Sequence, residues 1–491
     1  MTLTISGACY LKLTYRRGGN PIEEEMAEAG MIPTDLGTKK ISSLLKEYAV
    51  PGIIAMTASS LYNMVDSVYI GHIKDVGSLA ISGLSVTSPI MNLGAALGTL
   101  VGIGSSTIIS VVLGQKNYDA ARKVLSNAFT LNIIVGVLFT LITVPYITPI
   151  LSFFGAGPAI LPYARQYIVI ILLGNVVTHT YFGFNSIMRS AGDPKMAMKL
   201  TLFTVIANTV LDPVFIFGFG MGVRGAAVAT VLCQMMSLAY SLKYFTDKKK
   251  FLHLPKGLFG IEKRIAKDSF AIGTGPFLMN SAACIVAMFI NQQLAKYGGD
   301  LSIGAYGIVN RFNFFFLMIV SGLNQGMQPI AGYNFGARQY SRVKEVYQLT
   351  VKWGTVACLV GFIFSEFFPN MAMGIFTNDP ALKDISVRGL RIMSAFLWMV
   401  GFQMITTNLF QSLGMVKKSI FLSLSRQLLF LVPLVYVLPL FMGIDGVWLS
   451  FPVADFVATI TTFFMVRALI LKLKKLSDGD DPSVLGSQMK Q

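Results

Sequence analysis

Two carboxylates sit where the surrounding sequence is apolar enough to enter lipid. Asp66 falls within TASSLYNMVDSVYIGH and Asp212 within TVIANTVLDPVFIFGFG. An ionised carboxylate in the bilayer interior costs at least roughly 2.5–3.5 kcal/mol on insertion scales, so each is expected to face a cavity or a partner. Burial also disfavours the charged form. A carboxyl group poised in this way can exchange a proton or hold a cation. The spacing supplies more oxygens. Asn208 precedes Asp212 by four residues and shares its helix face, and Asn63 precedes Asp66 by three. Thr230 follows in the next apolar segment at comparable depth. Two carboxylates, amide oxygens and a hydroxyl suit either a proton or a sodium ion, because hard cations take oxygen ligands.

Pro213 follows Asp212 directly. Proline cannot donate to the carbonyl four residues back, and its ring disturbs that turn. The freed carbonyl belongs to Thr209, beside the Asn208–Asp212 face, and neighbours or water must satisfy it. Pro51 can likewise distort the segment that carries Asp66, or be a tolerated kink. A third carboxylate, Asp455, lies well inside an apolar segment, open to a functional or a structural reading. Arg311 lies early in another, where it either pairs with an acid or snorkels outward. His179 reads as a core histidine. Cys9, Cys233, Cys284 and Cys358 show no ligand spacing.

These groups must be positioned by membrane helices. The 491 residues are 54% hydrophobic and only 13% charged, with mean hydropathy +0.63. Apolar runs of roughly twenty residues, long enough to cross a bilayer core, recur along the chain. Twelve spans are expected, near 44–70, 83–113, 121–153, 158–187, 196–219, 223–244, 265–295, 303–332, 342–369, 386–412, 418–441 and 445–471. Residues 1–38 read as a disordered tail without a signal peptide, 245–264 as a basic linker and 472–491 as a second tail. The formal charge of +16 could suggest nucleic acid, but Lys and Arg crowd alternate loops. That pattern puts both termini in the cytoplasm and leaves no nucleic-acid footprint.

The chain also repeats itself. LGQKNYDAARKV at 113–124 aligns with FGARQYSRVKEV at 335–346, and MRSAGDPKMAM at 188–198 with FQSLGMVKKSI at 410–420, both offset by 222. MGVRGAAVAT at 221–230 aligns with MGIDGVWLSF at 442–451, offset by 221. The expected fold is therefore an all-α polytopic membrane protein of two homologous six-helix lobes, 39–244 and 265–471. Six spans is an even number, so the lobes are parallel repeats, with alternating access through a cavity between them. Within the repeat, Asp455 corresponds to Gln234.

NMVDSVYIGH at 63–72, RSAGDPKMAM at 189–198, NTVLDPVFIFGFGMGVRGAAVAT at 208–230 and LVGIGSSTIISVVLGQKNYDAARKV at 100–124 resemble the multidrug and toxic compound extrusion (MATE) family. The likeness is to its DinF-like branch and, within that, to MepA-like members, from about residue 40 to 470. It implies a V-shaped fold and cation-coupled export of lipophilic, often cationic drugs. It also implies no cofactor beyond the coupling proton or sodium ion, a monomer, and a bacterial cytoplasmic membrane. Carried over residue by residue, the cation site falls on Asp66, Asn208, Asp212 and Thr230, and the span-four tyrosine on Tyr167. Pro51 matches a span-one proline linked to bending. The carboxylates that the NorM-like branch uses in spans seven and ten are absent here.

The expected function is a proton- or sodium-coupled drug antiporter. A flippase for a lipid-linked precursor is the alternative, and an anionic lipid would call for Arg or Lys along its path. An enzyme is disfavoured, since HExxH and GxSxG are absent and no nucleophile–base pair stands out. A channel fits the composition but not the duplication.

Overall fold

The computed structural model describes residues 35–71, 73, 77–154, 156–248, 250–254, 260–376 and 380–480. Within helices, the side chains at 61–65, 67–68, 71, 77–79, 81–82, 85, 284 and 300 lie outside that description. So do residues 1–34 of the expected N-terminal tail and 481–491 of the expected C-terminal tail. Residues 35–38 form a short helix, Asp35–Thr38, with Leu36 buried.

Among the described residues the secondary structure is helical, without strands. Nine helices among the described residues are long and apolar enough to cross a membrane. Two further spans are helix pairs bent at a short break, Leu161–Leu173 with Asn175–Ser190 by 55° and Pro380–Ser394 with Leu397–Ser412 by 52°. These make up to eleven spans among the described residues against the twelve expected, and the expected span one lies outside those eleven, in the 31-residue helix Ile41–Gly71, about 46 Å long at 1.5 Å per residue. Spans seven and eight run on as Lys263–Gly336, interrupted at Gly299, where φ is 68°.

The backbone carries the repeat more plainly than the side chains do. Left-handed φ values are costly for residues with a Cβ, so their positions are a sensitive mark of shared geometry. Lys116 and Arg338 both adopt one, at 57° and 61°, 222 residues apart. Gly192 and Gly414 repeat the pattern at the same offset, and Gly222 and Gly443 at 221. The last pair also match in ψ, at −133° and −135°. The bent pairs are spans four and ten, which the same offset relates.

Two compact units emerge, and neither is one stretch of chain. One holds residues 35–38 and 54–277, and the other holds 39–53 together with 278–480. Span one therefore begins in the second unit and finishes in the first, and span seven does the reverse. Glycines make both crossings possible. In the second unit, a Cβ on Gly322 would lie 2.4 Å from Ile53 Cα, and one on Gly326 would lie 2.7 Å from Ala49 Cα. These glycines form a GLNQG motif on span eight, and small residues at this spacing let membrane helices approach closely. In the first unit, a Cβ on Gly104 would meet the Ser269 carbonyl and one on Gly273 the Leu100 carbonyl. Leu100 and Gly104 are the 222-offset partners of Gly322 and Gly326.

The segments that follow each half lie on equivalent loops. The Phe251 ring of the linker packs edge-on against Tyr118, and its carbonyl accepts from Arg122 Nε at 2.9 Å. In the other unit, the Gly479 N–H donates to the Arg338 carbonyl at 2.8 Å. The hydroxyl of Tyr340, the repeat partner of Tyr118, donates to the Asp480 carbonyl at 2.9 Å.

Candidate cation site

The helix Pro194–Pro213 carries Asn208 and Asp212 one turn apart on a buried face. It starts cleanly because Asp193 caps it, accepting from the Met196 N–H at 3.0 Å, with Pro194 in the first turn. After Pro213 the backbone widens into a π-helical segment, Val214–Gly218. The Phe219 N–H reaches back five residues to the Val214 carbonyl at 2.9 Å. The expected local distortion at Pro213 is thus a π-bulge, a feature frequent at functional sites.

Asn208 Nδ2 donates to Asp212 Oδ1 at 3.0 Å and lies 3.4 Å from Thr230 Oγ1. Thr230 comes from the following helix, Val223–Thr246. Asp66 comes from span one, and its carboxyl group lies within hydrogen-bonding reach of that of Asp212. All four side chains are buried, Asp212 completely. The structure therefore brings together Asp66, Asn208, Asp212 and Thr230, the four residues that the sequence singled out. Asn63 is a side chain outside the described residues.

Tyr167 is buried one turn further along, in a cluster with Ile70, Ile216 and Ala226. Those three lie four residues from Asp66, Asp212 and Thr230 respectively, so the tyrosine packs against the same turns that flank the site. Cys233, one turn beyond Thr230, is fully buried within the electrostatic reach of Asp212. Spacing alone did not single it out. Pro51 lies inside a continuous helix, 15 residues before Asp66, two residues before the boundary between the units. The His179 ring is buried and would press on any Cβ at Gly98.

The donor set fits a small hard cation. Among the described residues, Asp66 Oδ1, Asp212 Oδ2 and Asn208 Oδ1 are buried acceptors without a hydrogen-bond donor. Ionised carboxylates and amide oxygens only accept, and a buried acceptor left alone is costly. Two carboxyl groups in contact need a proton or cation between them. Among the described residues, no three His, Cys, Asp or Glu side chains gather into a metal cluster.

Asp455 belongs to the other unit and has a different environment. Its Oδ1 accepts from Arg426 Nε at 2.5 Å, and its backbone carbonyl accepts from Gln403 Nε2 and Thr459 Oγ1. Arg426 sits in a π-helical segment of span eleven, Ser425–Leu431. Arg311 is exposed. Arg426 was missed, although a basic residue midway along an apolar run was a readable signal.

Repeated membrane-length helices, with a buried carboxylate pair in one of the two units, suit a membrane transporter. The MatE family model matches residues 51–214 and 276–437, and the chain belongs to that family. It is 27% identical to the multidrug export protein MepA of Staphylococcus aureus over 425 residues, covering 87% of this chain and 93% of the relative. The likeness to MepA of Staphylococcus saprophyticus has the same extent and identity. Among solved structures, an outward-facing multidrug resistance MATE family transporter of the MOP superfamily superposes with a TM-score of 0.84 at 24% identity. That match covers 90% of this chain and 99% of the other. A MATE transporter in its bent conformation superposes with a TM-score of 0.84 at 25% identity, covering 90% and 98%.

Proposed function

We propose that this chain is a multidrug efflux antiporter of a bacterial cytoplasmic membrane, with both termini in the cytoplasm. Inward movement of protons or sodium ions drives export of lipophilic, often cationic compounds by alternating access. The observation that carries this reading is the contact between Asp66 and Asp212, with three buried oxygens left without donors among the described residues. A cation arriving at that cluster neutralises charge that is expensive in lipid. Its departure restores that charge, so occupancy biases the protein between states in proportion to the difference in cation affinity. Asn208 orients Asp212 through its amide, Thr230 adds a neutral oxygen, and Tyr167 packs the adjoining turns. Pro51 and Pro213 are the points where spans one and five can bend. The protein acts as a monomer and uses no cofactor beyond the coupling ion. Export of drugs by the MepA relatives supports the substrate class.

The test is uptake of a fluorescent cationic drug into inverted membrane vesicles, with pH and sodium gradients imposed separately. The expected result is that one gradient drives uptake and that Asp66→Asn and Asp212→Asn abolish the response. Normal gradient-driven uptake by both variants would remove the site from consideration. The lipid-linked precursor flippase is the second reading, favoured by a single observation, the Arg426 guanidinium within an apolar span. Asp455 neutralises that guanidinium, which tips the balance toward drug export. No drug transport under either gradient would bring the flippase forward.

A further inference from the structure

We propose that Arg342 is a positioning residue in transport. It fastens the start of span one to the loop between spans eight and nine, so that the movement linked to cation binding begins beyond Pro51. The inference rests on the antiport reading and adds to it the fixed end against which span one bends. Arg342 stands in the first turn of the helix Tyr340–Phe367. Its Nε donates to Asn334 Oδ1 at 2.8 Å and its Nη2 to the Lys39 carbonyl at 2.7 Å. Asn334 is fully buried and is itself held, its Nδ2 donating to the Ile330 carbonyl at 2.8 Å. The Gln339 N–H donates to the Asn334 carbonyl at 2.8 Å, which closes the loop that turns at Arg338.

The Lys39 carbonyl is well placed as a handle. The helix Ile41–Gly71 begins just after it, and the Leu44 N–H closes the first turn on the Lys40 carbonyl at 3.0 Å. Lys39 therefore precedes the cap, where a carbonyl takes no part in the intrahelical ladder. Further along, Ala49 and Ile53 lie against Gly326 and Gly322 of span eight. Contacts at residues 39, 49 and 53 thus hold the first turns of span one to span eight and to the loop after it. This grip ends at Ile53, just past Pro51, where the chain passes into the other unit. Asp66 lies well beyond that point.

The repeat shows that this grip is particular to span one. At the 222 offset, the partners of Asn334 and Arg342 are Val112 and Ala120, which offer neither an amide nor a guanidinium. The first unit holds the start of span seven by other means. Asn127 Oδ1 accepts from the Glu262 N–H at 2.8 Å, one residue before the helix Lys263–Gly336. That is one neutral hydrogen bond where span one has a guanidinium, and charge-assisted bonds are about twice as strong. The rigid fork also lets a single side chain bridge two acceptors in a fixed geometry, which a lysine ammonium does not reproduce. Span one carries Asp66, and span seven carries neither carboxylate of the cation site. The firmer anchor therefore stands on the span whose charge changes when a cation binds.

The experiment is hydrogen exchange on the full chain in detergent, read separately over residues 41–50 and 54–71 of span one. Asp212→Asn removes a charge that a bound cation cancels. Against the wild type, it is expected to change exchange over 54–71 and to leave 41–50 as it was. Placed on Arg342→Gln, the same substitution should change both stretches. Arg342→Lys keeps the charge but loses the fork, and should fall between. Asn127→Ala loosens span seven instead, and should match the wild type. In inverted vesicles, Arg342→Gln should lower the maximal rate of gradient-driven uptake of a cationic dye by about tenfold, the equivalent of one hydrogen bond to a charged group, with KM for the dye unchanged. A response over 41–50 already present without any Arg342 substitution would overturn the inference, and that comparison stands even if Arg342→Gln does not fold. A wild-type exchange pattern or a wild-type rate in Arg342→Gln would overturn it too. No response over either stretch, with no dye uptake by the wild type, would instead overturn the antiport reading on which it rests.

Discussion

Asn208 and Asp212 face each other across one helical turn at 3.0 Å, immediately before the π-bulge that Pro213 opens. The amide fixes one carboxylate oxygen and leaves the other, Oδ2, buried without a donor beside Asp66. Half of the Asp212 carboxylate is thus structural, and the other half is free to meet a cation.

The first prediction separates these halves. Asp66→Asn and Asp212→Asn remove the charge and should abolish the gradient-driven component of drug uptake while leaving the protein folded. Asn208→Ala keeps both carboxylates but loses a hydrogen bond to a charged group. It should raise the half-saturating cation concentration by about tenfold. Flux measured against cation concentration distinguishes the two effects, and unchanged half-saturation in Asn208→Ala would sink the orienting role.

Much of this site was readable before any coordinates, because helical spacing is local. Four residues between Asn208 and Asp212 place both on one face whatever the tertiary fold, and one constant offset predicted the backbone equivalences at Lys116 and Arg338. Tyr167 was different. Nothing in its own segment marks it, and only the family likeness singled it out. The pairing of Arg426 with Asp455 was hidden because it joins spans eleven and twelve through side-chain direction, which periodicity does not encode. The division of spans one and seven between units was hidden for the same reason, although the GLNQG motif on span eight was a signal of close approach.

The second prediction tests that approach. Gly322→Ala should cost about 1–3 kcal/mol as overpacking, since its Cβ would meet Ile53 Cα at 2.4 Å. Gly307→Ala on the same span is the control, because no atom lies within 4 Å of its new Cβ. Thermal denaturation in detergent should show a lower Tm for the first and not for the second. Equal Tm values for both variants would argue against the packing described here.

The third prediction concerns the segment after span twelve. Asp478 accepts from the Ser341 N–H at 3.0 Å and from its hydroxyl. Partial burial works against the ionised form. The Ser341 and Tyr340 hydrogen bonds and the Lys344 charge outweigh it, and the carboxyl is held below the usual carboxylate range. A lowered value means that docking is strengthened by ionisation. The contribution is full above the ordinary carboxylate pKa and is lost as pH falls through the lowered one. Hydrogen exchange at the Ser341 amide should accelerate over that acidic window, beyond its intrinsic pH dependence. Asp478→Asn should remove the extra acceleration, and an identical profile in both proteins would contradict the assignment.

The fourth prediction follows from the contrast between the two carboxylate environments. Asp66 and Asp212 face each other, whereas Asp455 faces a guanidinium. Removing one member of a buried ion pair leaves an uncompensated charge and typically costs about 3–5 kcal/mol, while replacing both members can be nearly neutral. Asp455→Asn and Arg426→Gln should each lower Tm, and the double variant should recover most of the loss. Asp455 is a counter-ion in this account and carries no coupling ion. The double variant should therefore keep the gradient-driven uptake of a cationic dye that Asp66→Asn abolishes. Additive losses in the double variant would show that the two residues act independently. Loss of its gradient response at normal Tm would move the coupling site, or part of it, into the second unit.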